Sequence, residues 1–169
     1  KTNPISEYGK SKVLGEKKIM KSGCKNIIIR TSWLFSNQEE NFVNRIVQKS
    51  KEKDKILVVG DQFGGPTYVG DLVNFCEIIM SHIKSNNIDY GIYHYSGYPY
   101  VSRFDFAKKI LNQIKSSTKI LEISSNNSKK FQIRPKNSRL DCKKNEKLFN
   151  VKMPSWEKSL KKILEPKSL

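Results

Sequence analysis

The run Asn26-Ile27-Ile28-Ile29-Arg30-Thr31-Ser32-Trp33 opens on three consecutive isoleucines and closes on residues that can bond or stack. Short, apolar and β-branched, Ile27 to Ile29 predict a strand buried on both faces, as in a parallel sheet. Ligands of open α/β sheets lie at the carboxyl ends of the strands, which is where Thr31, Ser32 and Trp33 emerge. Upstream, Asn3-Pro4 and Ser6 feed a helix to about Ser22, with Tyr8, Val13, Leu14, Ile19 and Met20 at helical spacing, and Ser22-Gly23 stops it. Downstream, a helix is expected over about Phe42 to Lys53, a strand over Ile56 to Val59, and a helix from Val69 to about Ser85. Then follow a strand near Gly91 to Tyr95, a Ser102-capped helix to about Lys115, and an extended piece at Ile120 to Ile123. Gly60 to Pro66 should be a shaped loop, Ser124 to Lys130 a mobile one, and short helices are expected near Lys143 to Phe149 and Ser155 to Leu164. The alternation of strands and helices gives an α/β architecture.

The 169 residues allow one ordinary domain or part of a larger protein, and 37% hydrophobic residues suffice for a core. A net charge of +16 suggests a polyanion partner at first sight. The cations, however, are 27 lysines against 5 arginines, strewn among 14 asparagines and 18 isoleucines. That is a compositional bias more than an arginine-bearing phosphate stripe, so neither nucleic acid nor membrane is expected as a partner. No apolar run is long enough to span a bilayer and no signal-peptide pattern opens the sequence, which predicts a cytoplasmic protein. Cys24, Cys76 and Cys142 are far apart and odd in number, so no disulfide framework or metal site is expected, and His82 and His94 add none.

Tyr8 and Lys12 stand four apart on the first helix, one turn from each other on one face. An ammonium beside a phenol favours the phenolate, which suits such a pair to proton transfer. The spacing alone carries no weight: chance predicts about one Tyr-x-x-x-Lys in this composition, and there is one. Taken alone, the pair reads as an exposed or half-packed helix pair.

The surrounding text changes that. Asn3-Pro4-Ile5-Ser6-Glu7-Tyr8-Gly9-Lys10-Ser11-Lys12 resembles the catalytic helix of the extended short-chain dehydrogenase/reductases. Three further blocks, Arg30-Thr31-Ser32-Trp33, Asp61-Gln62-Phe63-Gly64-Gly65-Pro66-Thr67 and Arg134-Pro135-Lys136-Asn137-Ser138-Arg139-Leu140-Asp141, follow in the order and at about the intervals of the dTDP-4-dehydrorhamnose reductase family. The resemblance implies that NADPH or NADH reduces the C4 keto group of a dTDP-linked 4-keto-6-deoxy sugar to give dTDP-rhamnose. It implies Tyr8 and Lys12 as catalytic residues, and Tyr8, Lys12 and Thr31 at the cofactor. Substrate contacts are implied for Trp33, Gln62, Phe63, Gly64, Pro66, Thr67, Asn137 and Arg139.

The residue chemistry agrees and leaves structural alternatives open. Trp33 offers an apolar face and one N–H to a sugar, or it is a core-edge residue. The Gln62 to Thr67 loop offers close backbone approach, an amide and a hydroxyl, or it only connects a strand to a helix. Arg134 and Arg139 present donor forks suited to a diphosphate, or Arg139 pairs with a carboxylate. Arg30 reads as a structural ion pair.

The family's glycine-rich pyrophosphate turn, G-x-x-G-x-x-G, is absent, and only seven residues precede Tyr8. The expectation is therefore the C-terminal portion of a Rossmann-like NAD(P)-binding fold lacking its glycine-rich N-terminal half. Residues 1–35 would supply the catalytic helix and last core strand, and 36–169 mainly the substrate-binding region. The dTDP-sugar substrate and the missing half of the same polypeptide are the expected partners, a homodimer is a further one, and self-association or pairing with another chain is expected because the Ile27 to Ile29 strand is left exposed. Two other classes remain: a non-catalytic member of the fold resembling the regulatory subunit of methionine adenosyltransferase, and a basic nucleic-acid binder.

Overall fold

A computed structural model describes residues 2–38, 40–127 and 133–165. The isoleucine run forms β1 (Ile27–Arg30), paired in parallel with β6 (Gly91–His94), Ile27 opposite Gly91 and Arg30 opposite His94. A second parallel pair joins β3 (Lys55–Val59) to β8 (Lys119–Ile123), and a third joins β2 (Leu34–Phe35) to β5 (Thr67–Tyr68). The last small sheet has β4 (Phe63–Gly64) at its centre, antiparallel to β7 (Val101–Ser102) and parallel to β9 (Asn137–Ser138). The fold is α/β, as the alternating pattern predicts.

Among the described residues six helices fill the connections: α1 (Glu7–Lys21), α2 (Phe42–Glu52), α3 (Val69–Lys84), α4 (Arg103–Gln113), α5 (Lys143–Phe149) and α6 (Trp156–Leu164). Their starts follow from the sequence. The Ser6 hydroxyl accepts from Gly9 N, the Asn41 side chain accepts from Val43 N and Asn44 N, and the Ser102 hydroxyl accepts from Asp105 N. Such caps stabilise a helix by about 1 kcal/mol each.

The core has two parts. One gathers Phe35, Val43, Ile46, Ile56, Val58, Phe106, Ile110, Trp156 and Leu160, so β2, α2, β3, α4 and α6 close around it. Its aromatic centre is Phe106, stacked on Phe42 and edge-on to Phe35 and Trp156. The indole N–H of Trp156 donates to Pro99 O at 2.7 Å, which docks α6 on the body of the protein. The second part joins Phe75, Ile79, Tyr93, Tyr95 and Phe149, with Ile27 and Ile29 against it. In space, α3, β6 and α5 therefore belong with β1, although they follow residue 35 in the chain.

Three expectations need correction. Ile27 to Ile29 are half-buried and not enclosed, because β1 has β6 on one side and α1 contributes no buried residue. Gly60 to Pro66 is not all loop, since Phe63 and Gly64 pair on both sides, and Thr67-Tyr68 is a strand before α3 begins. Ser125–Asn127 forms a 3-10 turn held by Asp61, which accepts from Ser125 N at 3.0 Å and Ser125 Oγ at 2.7 Å. The rest of that expected loop, residues 128–130, lies outside the described residues.

Candidate functional site

Tyr8 and Lys12 stand on the first turns of α1, where the Ser6 cap fixes the helix start. Tyr8 is 73% exposed, and the Lys12 ammonium lies 5.2 Å from the centroid of its ring. One turn further along the same face, Glu16 receives Arg30 Nε at 2.8 Å and Nη2 at 2.5 Å, a two-pronged ion pair. That fork holds the Glu16 carboxyl below the usual carboxylate range, burial opposing the effect. Arg30 is thus the structural ion pair that its place at the strand end suggested, and it fastens α1 to the carboxyl end of β1.

Immediately after that anchor the chain bends. Thr31 Oγ1 is buried without a hydrogen-bond partner. Trp33 has φ 48°, a left-handed conformation costing a non-glycine residue about 1 kcal/mol. Its carbonyl accepts from Thr67 N at 3.1 Å, and the neighbouring Ser32 hydroxyl donates to Gly65 O at 2.9 Å. The indole lies against Gly64, where a Cβ would stand 2.6 Å from Trp33 Cε2. Only glycine leaves room there.

Along Gln62 to Thr67 the residues divide. Gln62, Pro66 and Thr67 are buried, Thr67 completely. The Thr67 hydroxyl donates to Gly65 O and accepts from Gly97 N, both at 3.2 Å, so its polar atom shapes the loop from inside. A Cβ on Gly65 would lie 2.3 Å from Gly97 O, which explains the second glycine. Phe63, in contrast, is 42% exposed.

Pairing of β4 with β9 puts Phe63 opposite Asn137 and Gly64 opposite Ser138, with Phe63 N donating to Lys136 O at 2.8 Å. Two motifs more than seventy residues apart in the sequence thereby become neighbours. Asn137 Oδ1 accepts from Arg139 N at 3.1 Å and from Arg139 Nε at 2.9 Å, which orients the guanidinium without a carboxylate. Asn137 and Arg139 line a groove of about 490 Å³ together with Tyr100, Leu140, Cys142 and Met153. Lys136 turns to Asp61 at 3.3 Å, and the Ser125 hydrogen bonds with this lysine keep the Asp61 carboxyl below its ordinary range.

The structure therefore unites Trp33, Gly64, Phe63, Asn137 and Arg139 through one small sheet, and attaches Tyr8 and Lys12 through the Glu16–Arg30 anchor. It adds a residue that the sequence reading missed. Arg103, the first residue of α4, lays its guanidinium 3.7 Å from the centroid of the Trp33 indole and 4.7 Å from that of Phe42. Burial, then the charges of Arg134 and Arg45, push the Arg103 guanidinium down to about 9. The stack also occupies part of the indole surface that a sugar could otherwise cover. The available signal was rarity: four of the five arginines, 45, 103, 134 and 139, belong to this region.

A dTDP-4-dehydrorhamnose reductase of Aggregatibacter actinomycetemcomitans is 37% identical over 169 residues, covering 95% of this chain and 57% of that protein. The crystal structure of dTDP-4-dehydrorhamnose reductase from Bacillus anthracis in complex with NADP is similar with a TM-score of 0.82 and 36% identity, over 95% of this chain and 55% of that one. The reductase from Clostridium acetobutylicum gives a TM-score of 0.86 and 30% identity, over 97% and 56%. The chain spans a little over half the length of these relatives. No helix among the described residues is long and apolar enough to cross a membrane. Residues 1–168 match the model of the RmlD substrate binding domain, and the chain belongs to that family.

Proposed function

We propose that this chain is the substrate-binding portion of a cytoplasmic NAD(P)H-dependent reductase that converts dTDP-4-dehydro-6-deoxy-L-mannose to dTDP-L-rhamnose. The observation that carries the reading is the convergence of Trp33, Phe63, Asn137 and Arg139 on the β4 sheet, with Tyr8 and Lys12 on the helix tied to β1. Similarity to reductases of that name, one of them solved with NADP, supports it.

A nicotinamide cofactor suits the residues present. Thr31 offers a buried hydroxyl without a partner, and Tyr8 and Lys12 offer an exposed phenol and ammonium side by side. Bound there, the cofactor supplies the hydride. Tyr8 gives its phenolic proton to the C4 oxygen as negative charge develops on it, and Lys12 stabilises the phenolate left behind. Lys12 also bonds the ribose hydroxyls, and Thr31 lies on the cofactor side. Phe63, Asn137 and Arg139 face the nucleotide-sugar, and Trp33 directs its indole to the same ligand. Gln62, Gly64, Pro66 and Thr67 set the shape of the loop that carries Phe63. A homodimer and a glycine-rich cofactor-binding portion complete the reading.

A reductase carrying this chain should oxidise NADPH when given the dTDP-4-keto sugar, and Tyr8→Phe should lower kcat by about 100-fold or more. No oxidation by the wild type would remove the reading. Equal rates in both would remove only Tyr8 as proton donor.

A further inference from the structure

Arg103 is a planar cation with five N–H donors, and no hydrogen bond from its guanidinium to the described residues is found. Its side chain is fixed from two directions. The guanidinium lies on Trp33 and Phe42, and the backbone N–H donates to Gln62 O at 3.0 Å. Contacts with ring faces leave the N–H edge of a guanidinium free to bond.

The electrostatics around it are one-sided. Among the described residues no carboxylate lies within ion-pair distance of Arg103. The nearby acid of its own helix, Asp105, accepts from the Ser102 hydroxyl at 2.6 Å. Arg134 and Arg45 both repel the guanidinium, and Arg45 has a solvated partner in Glu40 at 3.3 Å. As the first residue of α4, Arg103 also stands at the helix end where the dipole disfavours a cation. A half-buried, unbalanced and immobilised guanidinium is costly in the free protein and well prepared for an anion.

We propose that Arg103 binds the diphosphate of the nucleotide-sugar and, through its stack on Trp33, couples arrival of that anion to the orientation of the indole. This rests on the reading of the site as a nucleotide-sugar pocket. Two oxygens of a diphosphate match the guanidinium fork, whereas the neutral sugar has no charge to offer it. Arg103 is then both the anion ligand and the positioning residue for Trp33.

The test is calorimetric titration of a full-length reductase carrying this chain with dTDP, inorganic pyrophosphate, thymidine and NADP+, with tryptophan emission followed in parallel. The variants are Arg103→Gln, Arg103→Lys and Trp33→Phe, with circular dichroism to verify folding. Hydrogen bonds to a charged group predict that Arg103→Gln weakens dTDP and pyrophosphate by about ten- to hundredfold. Arg103→Lys should recover part of that loss, and thymidine should not respond to either substitution. Emission should change with dTDP or pyrophosphate in the wild type, and the change should vanish in Trp33→Phe and Arg103→Gln. Unchanged dTDP and pyrophosphate binding in a folded Arg103→Gln would overturn the proposal while leaving the nucleotide-sugar reading intact. Arg103-dependent binding of pyrophosphate without any of dTDP would keep the anion site and remove that reading, and a wild type that binds neither would remove both. A loss confined to NADP+ would overturn the assignment to the sugar nucleotide.

Discussion

Arg30 grips the carboxylate of Glu16 with two hydrogen bonds, at 2.8 and 2.5 Å, and so joins the helix bearing Tyr8 and Lys12 to the strand that leads to Trp33. With about 1.5 Å of rise per residue, Tyr8 lies about 12 Å along the helix from that joint. α1 buries no side chain of its own, so this pair is a principal constraint on where Tyr8 and Lys12 stand. A site assembled from separate elements depends on such joints as much as on its contact residues.

Glu16→Gln should cost about 1–2 kcal/mol of stability at pH 7, because the pair is mostly buried and two charge-assisted hydrogen bonds weaken together. The pH dependence has a definite sign. The folded carboxyl is held below its unfolded value, so its contribution is fully present above about pH 4.5 and is lost as pH falls through the folded value. Urea unfolding at pH 7 and pH 3 should show the gap between wild type and Glu16→Gln closing in acid. A gap that is constant with pH would mean that the pair does not stabilise the fold.

Gly64→Ala should displace the Trp33 indole, since the new methyl would stand 2.6 Å from Cε2 and 2.9 Å from Nε1. Overpacking of this kind costs about 1–3 kcal/mol. Thermal unfolding and tryptophan emission report the two consequences separately, and an unshifted emission maximum with an unchanged Tm would contradict the close packing.

Thr67→Val should destabilise the loop by about 1–3 kcal/mol, because the buried Gly97 N–H loses its acceptor. Thr67→Ser keeps the hydroxyl and should retain most of the stability. Denaturation midpoints of the two variants make the comparison. Equal midpoints for Val and Ser would mean that the hydroxyl contributes only shape.

Much of this was legible in the residues. Ile27 to Ile29 announce a strand because three β-branched apolar residues in a row suit a sheet and fit poorly in a short amphipathic helix. Asn41 and Ser102 mark helix starts because their side chains bond the free N–H groups of the first turn. The two-residue strands were not legible. Phe63-Gly64 and Asn137-Ser138 are too short to carry a period, and their pairing depends on chain segments far apart in sequence. Arg103 escaped for the same reason: it belongs to no motif, and only the fold sets it against Trp33. The half-exposed β1 has a different cause. Its composition calls for cover on both faces, and among the described residues β6 and the side of α3 and α5 supply it.

That uncovered surface predicts self-association. Leu14, Ile19 and Met20 on α1 are exposed at 56%, 47% and 56%, and among the described residues β1 pairs only with β6. Exposed apolar side chains and a free strand edge favour contact with another chain at micromolar concentrations. The net charge of +16 opposes it through long-range repulsion, which salt screens. Light scattering should therefore find a mass that rises with concentration and rises further in 0.5 M salt. Leu14→Lys with Met20→Lys should return the chain towards a monomer. A constant monomeric mass in the wild type across both series would show that these surfaces are not adhesive.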